Sequence, residues 1–409
     1  MMRKLFGIAI LLAATSSILA QKRIYIPEDL RQMNLESDTS QWSFQRSAET
    51  RDLVFFWERG FGHDLQDPPP LDGHPMSLNL SVTMDRVQHF YTFFRDTLGF
   101  TQPGSKAEKY KMMVMLMYSL DGTAYGGTYD NFIGALWVTP LRIQDKTMNC
   151  LAHELGHCFQ LQIPADSVGD AWGGSGFYEM TSQWMLWQVN PWWLRDENYH
   201  FEAFKDLTHK AFLHLDNIYH SPYVIQWWSD LHGKRSIAEL YRQGRIGEDP
   251  VMTYKRLHQL SQDQFCDEML VGYQHLVNFD FNHARQETRP YACTWHTKLD
   301  TLAHGWLRPV NTPEDYGVNF IPLPIKPSTR IDIKGDHIRH AFVVVTDKGE
   351  SIYSPIGATV FRTPKGKNLT HLYLVVMGSP EEHRPLMLPH DTVPTQNTPG
   401  NYPYTFKVK

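Results

Sequence analysis

The chain has little cysteine, no concentrated stretch of basic charge and, beyond its first twenty residues, no long apolar run. Each absence excludes something. Four cysteines in 409 residues do not make a disulfide framework, and a chain of this length buries enough surface to fold without staples. Cys150 and Cys158 would stand about 12 Å apart along one helix, too far to bridge each other. Pairing of either with Cys266 or Cys293, and four free thiols, both stay open. The 39 Lys and Arg are outnumbered by 44 Asp and Glu and form no stripe, which argues against DNA or RNA as a partner. No segment after residue 20 is long and apolar enough to span a bilayer. Short-period repeats are missing too, so solenoids and propellers are excluded.

The one apolar run opens the chain. Arg3 and Lys4 precede Leu5 to Ala14, small residues follow, and Ala20 is the expected last residue before a cut. Residues 1–20 therefore read as a signal peptide, with a buried N-terminal helix as the alternative. No cysteine follows the run, so a lipoprotein anchor is excluded. Removal leaves 37 basic and 44 acidic residues, a net charge of −7, on an exported chain, periplasmic or extracellular. Nothing in the sequence sets an oligomeric state.

Texture divides the remainder. Residues 21–50 are polar and irregular. Leu53-Val54-Phe55-Phe56-Trp57, the run from Lys111 to Tyr118, and Phe132 to Val138 read as strands, and Leu78 to Leu98 has helical periodicity. The strand at 132–138 is expected at the sheet edge, where an extended peptide could pair with it; an internal strand is the equal alternative. From 175 to about 285 the pattern is helical, with aromatic stripes (Trp184, Trp187, Trp192, Trp193, Tyr223, Trp227, Trp228) of the kind that usually fill cores. After Cys293 short apolar runs alternate with turns, as at Ala341 to Val345 and Leu372 to Val376, which predicts an all-β sandwich. The expected fold class is α+β. Its first domain covers 21–300, with a sheet part to about 145 and a helical part after; a β-sandwich covers 301–409.

His153-Glu154-Leu155-Gly156-His157 carries the chemistry. Residues four apart share a helix face, so both imidazoles can point at one ion. Zinc takes a small tetrahedral set of N, O or S ligands. Glu154, about 100° further round the helix, lies beside the ion, where it can accept a proton from water acidified to a pKa of about 7. Apolar neighbours (Met148, Leu151, Ala152, Phe159, Leu161) set the motif on a buried helix, and Gly156 there would admit a close neighbour. The pattern points to a zinc hydrolase, most readily a peptidase.

A third ligand is needed. The metzincin extension would place Gly and His at positions that hold Gln160 and Ile163, so that route is closed. Glu179 is the expected ligand, on a helix opened by Ser175 as N-cap after Gly173-Gly174; a first-turn glutamate serving only the helix dipole is the alternative. Asp166, Asp170 and Glu197 are weaker candidates. Cys150 shares the helix face, but a thiolate would be unusual in a hydrolytic site of this pattern.

The pair His153-Glu154-x-x-His157 with Glu179 downstream resembles the gluzincin-type zincin metallopeptidases over roughly residues 110–190. Glu179-Met180-Thr181-Ser182 is similar to the glutamate helix of enhancin-like peptidases, which act on mucin-type glycoproteins. The whole layout most resembles an uncharacterised secreted bacterial family that includes Svx-type avirulence proteins, on Pro313-Glu314-Asp315-Tyr316-Gly317 and Tyr402-Pro403-Tyr404-Thr405-Phe406. One departure stands out. Thermolysin-like gluzincins carry an aspartate four residues after the ligand glutamate to orient a zinc histidine, and this chain has Gln183, so Ser182 or Gln183 would supply that contact. The resemblance implies zinc held by His153, His157 and Glu179, with Glu154 as general base toward protein or glycoprotein substrates. Tyr223 and His220 are the leading oxyanion donors, ahead of His214 and Tyr178; each could equally be a packed aromatic or a surface histidine. A catalytically inert zincin-fold protein that binds glycans or proteins is the rival reading, and a closed structural zinc site is a third.

Overall fold

The computed structural model describes residues 21–169, 172, 176–386 and 397–409. The segment expected as a signal peptide, Asp170 and the expected Ser175 cap lie outside them. Five strands form the first sheet: β1 (Ser47–Glu49), β2 (Leu53–Trp57), β3 (Met112–Leu116), β4 (Tyr125–Tyr129) and β5 (Ile133–Val138). Their order is β1-β2-β3-β5-β4. β2, β3 and β5 are parallel, and β4 runs antiparallel to β5. Every residue of β2 and β3 is buried, as their unbroken apolar runs require of strands covered on both faces. Helix Leu80–Asp96, started by Asn79 accepting from the Val82 N–H at 3.2 Å, crosses between β2 and β3.

Of the two places expected for the strand at 132–138, the structure has the internal one. The edge is β4, whose sequence Tyr125-Gly126-Gly127-Thr128-Tyr129 lacks an apolar alternation and reads as a turn. The glycine that hides the strand is what positions it. A Cβ on Gly126 would stand 1.9 Å from the Glu154 carbonyl oxygen, so β4 lies directly on the helix that carries the histidines.

That helix, Asn149–Ala165, is buried along most of its length. Gly156 faces helix Gly176–Val189, and a Cβ there would come within 2.6 Å of the Ser182 hydroxyl. The helical part continues through Asn198–Leu207, Tyr223–His232 and Gln262–Leu276, the last opened by a reciprocal Ser261/Gln264 capping box. Trp184, Trp187, Trp193 and Trp228 are fully buried in it, while Trp192 is exposed.

The C-terminal strands form the two sheets of a sandwich. One orders Ser351–Tyr353, Ile338–Thr346, Leu369–Gly378 and Val318–Pro322; the other runs from Val360–Arg362 through Ser328–Lys334, Thr405–Val408 and Leu307–Pro309 to Leu299–Thr301. The first sheet is covered on both faces. Ala341, Val343, Val375 and Met377 belong to the core shared with the helices, whereas Phe342, Val344, Leu374 and Val376 pack against the second sheet. Helices, sheet and sheet thus make three layers, and the core runs across the change of texture near residue 300. All four cysteines are free thiols. No helix among the described residues is long and apolar enough to cross a membrane.

The close approach of β4 to the histidine helix is testable. Gly126→Ala should lower stability by about 1–3 kcal/mol in urea denaturation, because neither backbone can yield freely. Gly127→Ala, whose Cβ would meet nothing nearer than 4.0 Å, should be close to neutral.

Candidate active site

Three side-chain atoms converge where the two central helices meet. Glu179 Oε2 lies 3.0 Å from His153 Nε2 and 3.1 Å from His157 Nε2, and the two imidazole nitrogens are 3.1 Å apart. Tetrahedral zinc with bonds of about 2.0–2.1 Å spaces its ligands by about 3.3 Å, so this triangle matches the base of such a site. The donor chemistry also fits: two imidazoles, one carboxylate and one side facing a cleft. Among the described residues this is the group of three His, Cys, Asp or Glu that could hold an ion.

The orientation of His157 follows from its neighbours. Gln160 donates its amide N–H to the Tyr178 carbonyl at 3.1 Å, which turns its Oε1 toward His157 Nδ1, also at 3.1 Å. A carbonyl only accepts, so Nδ1 carries the hydrogen and Nε2 keeps its lone pair for the triangle. Ser182 receives a second Gln160 N–H at 3.3 Å and donates to the His153 carbonyl at 2.9 Å. Gln160, at the position that closes the metzincin route, therefore supplies the contact expected of Ser182 or Gln183. Its signal was available, since it stands one turn beyond His157 on the same face. Gln183 turns elsewhere, donating to His200 Nε2 at 3.0 Å and to the Tyr219 carbonyl at 3.2 Å.

Charge in the triangle is strongly coupled. Burial raises the Glu179 carboxyl, but the adjoining His153 and His157 rings, when protonated, outweigh it and hold the group well below the usual carboxylate range. Burial likewise works against the His157 imidazolium, and the Glu179 contact more than compensates, raising its pKa. Such a pair is stable together and costly to separate.

The triangle opens into a cleft of about 670 Å³, walled on one side by Gly122 to Gly126 and on the other by Glu197, Tyr199, His200 and Tyr219. Glu154, 8% exposed, lines it beside the histidines. Of the proposed donors, Tyr178 lines the cleft and Tyr223 does not. Tyr223 is 2% exposed and packs among Trp187, Phe204 and Phe279, because its place on helix Tyr223–His232 faces the aromatic core. His220 stands behind the wall, its Nδ1 2.7 Å from His200 Nδ1, and His214 Nδ1 accepts from the Asp216 N–H. Asp166 is engaged by Ser105, the Lys106 N–H and Gln162, away from the triangle. Glu197 accepts from Trp193 at 2.7 Å and Asn149 at 3.2 Å; burial raises its pKa against those bonds.

Two cleft residues had no signal beyond adjacency. Tyr219 precedes His220; its phenol pKa is raised by burial and by the neighbouring Glu179 carboxylate. His200 accepts at Nε2 from Gln183 and donates at Nδ1 to His220, a neutral imidazole. Burial, with the His220 and His153 charges, lowers its pKa to about 3.

The family model of a family of unknown function, DUF6055, matches residues 16–409. No curated protein matches the chain in sequence. Among solved structures, the ZmpB metallopeptidase from Clostridium perfringens is similar at 14% identity and a TM-score of 0.34, over 81% of this chain and 66% of that one.

The neutrality of His200 has a measurable consequence. In the unfolded chain an imidazole takes up a proton below about pH 6.5, whereas folded His200 stays neutral down to about 3. The unfolded state then binds more protons, and stability falls as pH drops through that interval. The slope of the melting temperature against pH between 4 and 6.5 should flatten in His200→Gln.

Proposed function

We propose that this chain, which belongs to the family of unknown function DUF6055, is an exported zinc-dependent peptidase that hydrolyses protein or glycoprotein substrates. The single observation that carries the reading is the convergence of His153 Nε2, His157 Nε2 and Glu179 Oε2 within about 3 Å, with Glu154 beside them on one cleft. His153, His157 and Glu179 would hold the ion, and Gln160 keeps the lone pair of His157 directed at it. Bound there, zinc supplies Lewis acidity to the scissile carbonyl and brings the pKa of water to near neutrality.

The other steps belong to the protein. Glu154 accepts the proton of the attacking water at its carboxylate and returns it to the leaving amine. Tyr219, its phenol kept protonated, replaces Tyr223 as the oxyanion donor from the cleft wall. His200 is neutral and held by Gln183 and His220, which suits it to donate no charge to the cleft at working pH. The free side of β4 is the place for an extended substrate, paired as a further strand. Retention of Glu154, which no closed zinc site needs, and the resemblance to enhancin-like peptidases support hydrolysis over a purely structural ion.

Elemental analysis should find one zinc per chain, lost in His153→Ala. Digestion of peptide and mucin libraries should give cleavage abolished in Glu154→Gln and reduced about 100- to 1000-fold in kcat by Tyr219→Phe. Zinc-loaded protein without any Glu154-dependent cleavage would instead leave the inert, glycan- or protein-binding reading.

A further inference from the structure

The cleft contains one cationic side chain, and the proposed chemistry does not use it. Of the residues lining it, Arg142 is the single lysine or arginine, facing three carboxylates. Two of these, Glu154 and Glu179, serve the reaction in the proposal above, and the third, Glu197, accepts one bond at each oxygen, from Trp193 and Asn149. Arg142 itself is exposed and makes no ion pair among the described residues. Its backbone is nonetheless fixed. It ends a single turn begun by Pro140, its N–H donates to the Thr139 carbonyl at 3.1 Å, and Ile143 beside it is 4% exposed. The guanidinium is thus presented on a rigid support.

Its position is defined by what it acts on. Burial pushes the Cys150 thiol up to about 11 while Arg142 pulls it down. The same guanidinium acts on Tyr199, a cleft-lining ring that is 64% exposed. Cys150 precedes His153 by three residues, about 4.5 Å along the helix axis. Arg142 and the triangle line the same cleft, so a chain lying in it passes both.

We propose that Arg142 is a specificity determinant that receives a substrate carboxylate, from an acidic side chain or from the chain end. The inference rests on the peptidase reading. A guanidinium offers carboxylate two parallel N–H donors, and such charge-assisted bonds outweigh neutral ones. A metal held there would be balanced by Glu179 and Glu154, which leaves Arg142 as the one cationic side chain of the cleft to meet an incoming carboxylate, with Glu197 as the acidic group that shares its Tyr199 neighbour. Arg142 would favour acidic sequences and disfavour lysine or arginine at the same place.

The test uses the full exported chain and a peptide drawn from the library digest. At each position flanking the cut, Glu, Gln and Lys versions are compared, each with free and amidated C-termini. kcat/KM is measured for wild type, Arg142→Ala, Arg142→Lys and Arg142→Glu, with Glu154→Gln as the blank. Ratios are taken within each variant, so partial misfolding does not mimic the effect. Wild type should prefer Glu over Gln by about tenfold at one position, or the free acid over the amide by a similar factor, and the arm that responds identifies the source. The ratio should fall to about one in Arg142→Ala, be partly kept in Arg142→Lys and turn in favour of Lys peptides in Arg142→Glu. Glu154-dependent cleavage whose ratios ignore every Arg142 substitution overturns this inference and leaves the peptidase intact. No Glu154-dependent cleavage of any peptide removes both.

Discussion

The separation of two helices at Gly156 and Ser182 is the constraint on which the site depends. Glu179 reaches both imidazoles only because helix Gly176–Val189 lies against Asn149–Ala165 with no side chain between them at Gly156. Ser182 then bonds to the His153 carbonyl and to Gln160, tying the second helix to the backbone and to the orienting amide of the first. The contact that sets the helix spacing is also part of the network that sets the imidazole tautomer. Spacing and tautomer cannot be varied separately, and a shift of about 1 Å would lose both.

Charge reinforces the same arrangement. A carboxylate and two imidazoles in a partly buried corner are unfavourable singly, since each loses hydration, and favourable together. The depressed carboxyl of Glu179 and the raised imidazole of His157 are two views of that coupling. A divalent cation answers it better than a proton does, because it satisfies all three donors at once. His200, by contrast, is held neutral by burial and by the neighbouring His220 and His153 charges, and so adds no positive charge beside the triangle.

The chemistry-bearing part of the molecule was legible because its residues are near in sequence. His153, Glu154 and His157 share one helix face, and Glu179 follows on the next long helix; periodicity and residue type suffice for both. Three of the strands of the first sheet and the sandwich were legible from continuous and alternating apolar runs. What escaped was set by contacts distant in sequence or by residues with no propensity signal. β4 is a strand because Gly126 permits it to lie on the helix, a reason that no local pattern encodes. Tyr223 and Tyr219 are four residues apart, so only the direction of the intervening turn decides which one faces the core and which the cleft. Gln160 shows the converse: a residue noted for breaking one motif proved to complete another.

The three-layer packing bears on where this chain can change without losing its site. The histidine helix is enclosed by sheet, helices and aromatic core, and the inner face of the sandwich shares that core, so movement of the sandwich against the helices would open buried apolar surface. The floor of the cleft is therefore fixed from below. Its walls are not built that way: 122–126, 140–142, 197–200 and 219 come from an edge strand, a single turn, a short helix and a loop. Thr123 bonds only locally, to Asp121, while Glu197, His200 and Tyr219 are tied to the central helices by single amides of Asn149 and Gln183. Substitution in these walls alters what the cleft admits at little cost to the packing that holds the triangle. In this fold what the cleft admits can diverge through the walls while the His153, His157 and Glu179 triangle stays with the two helices.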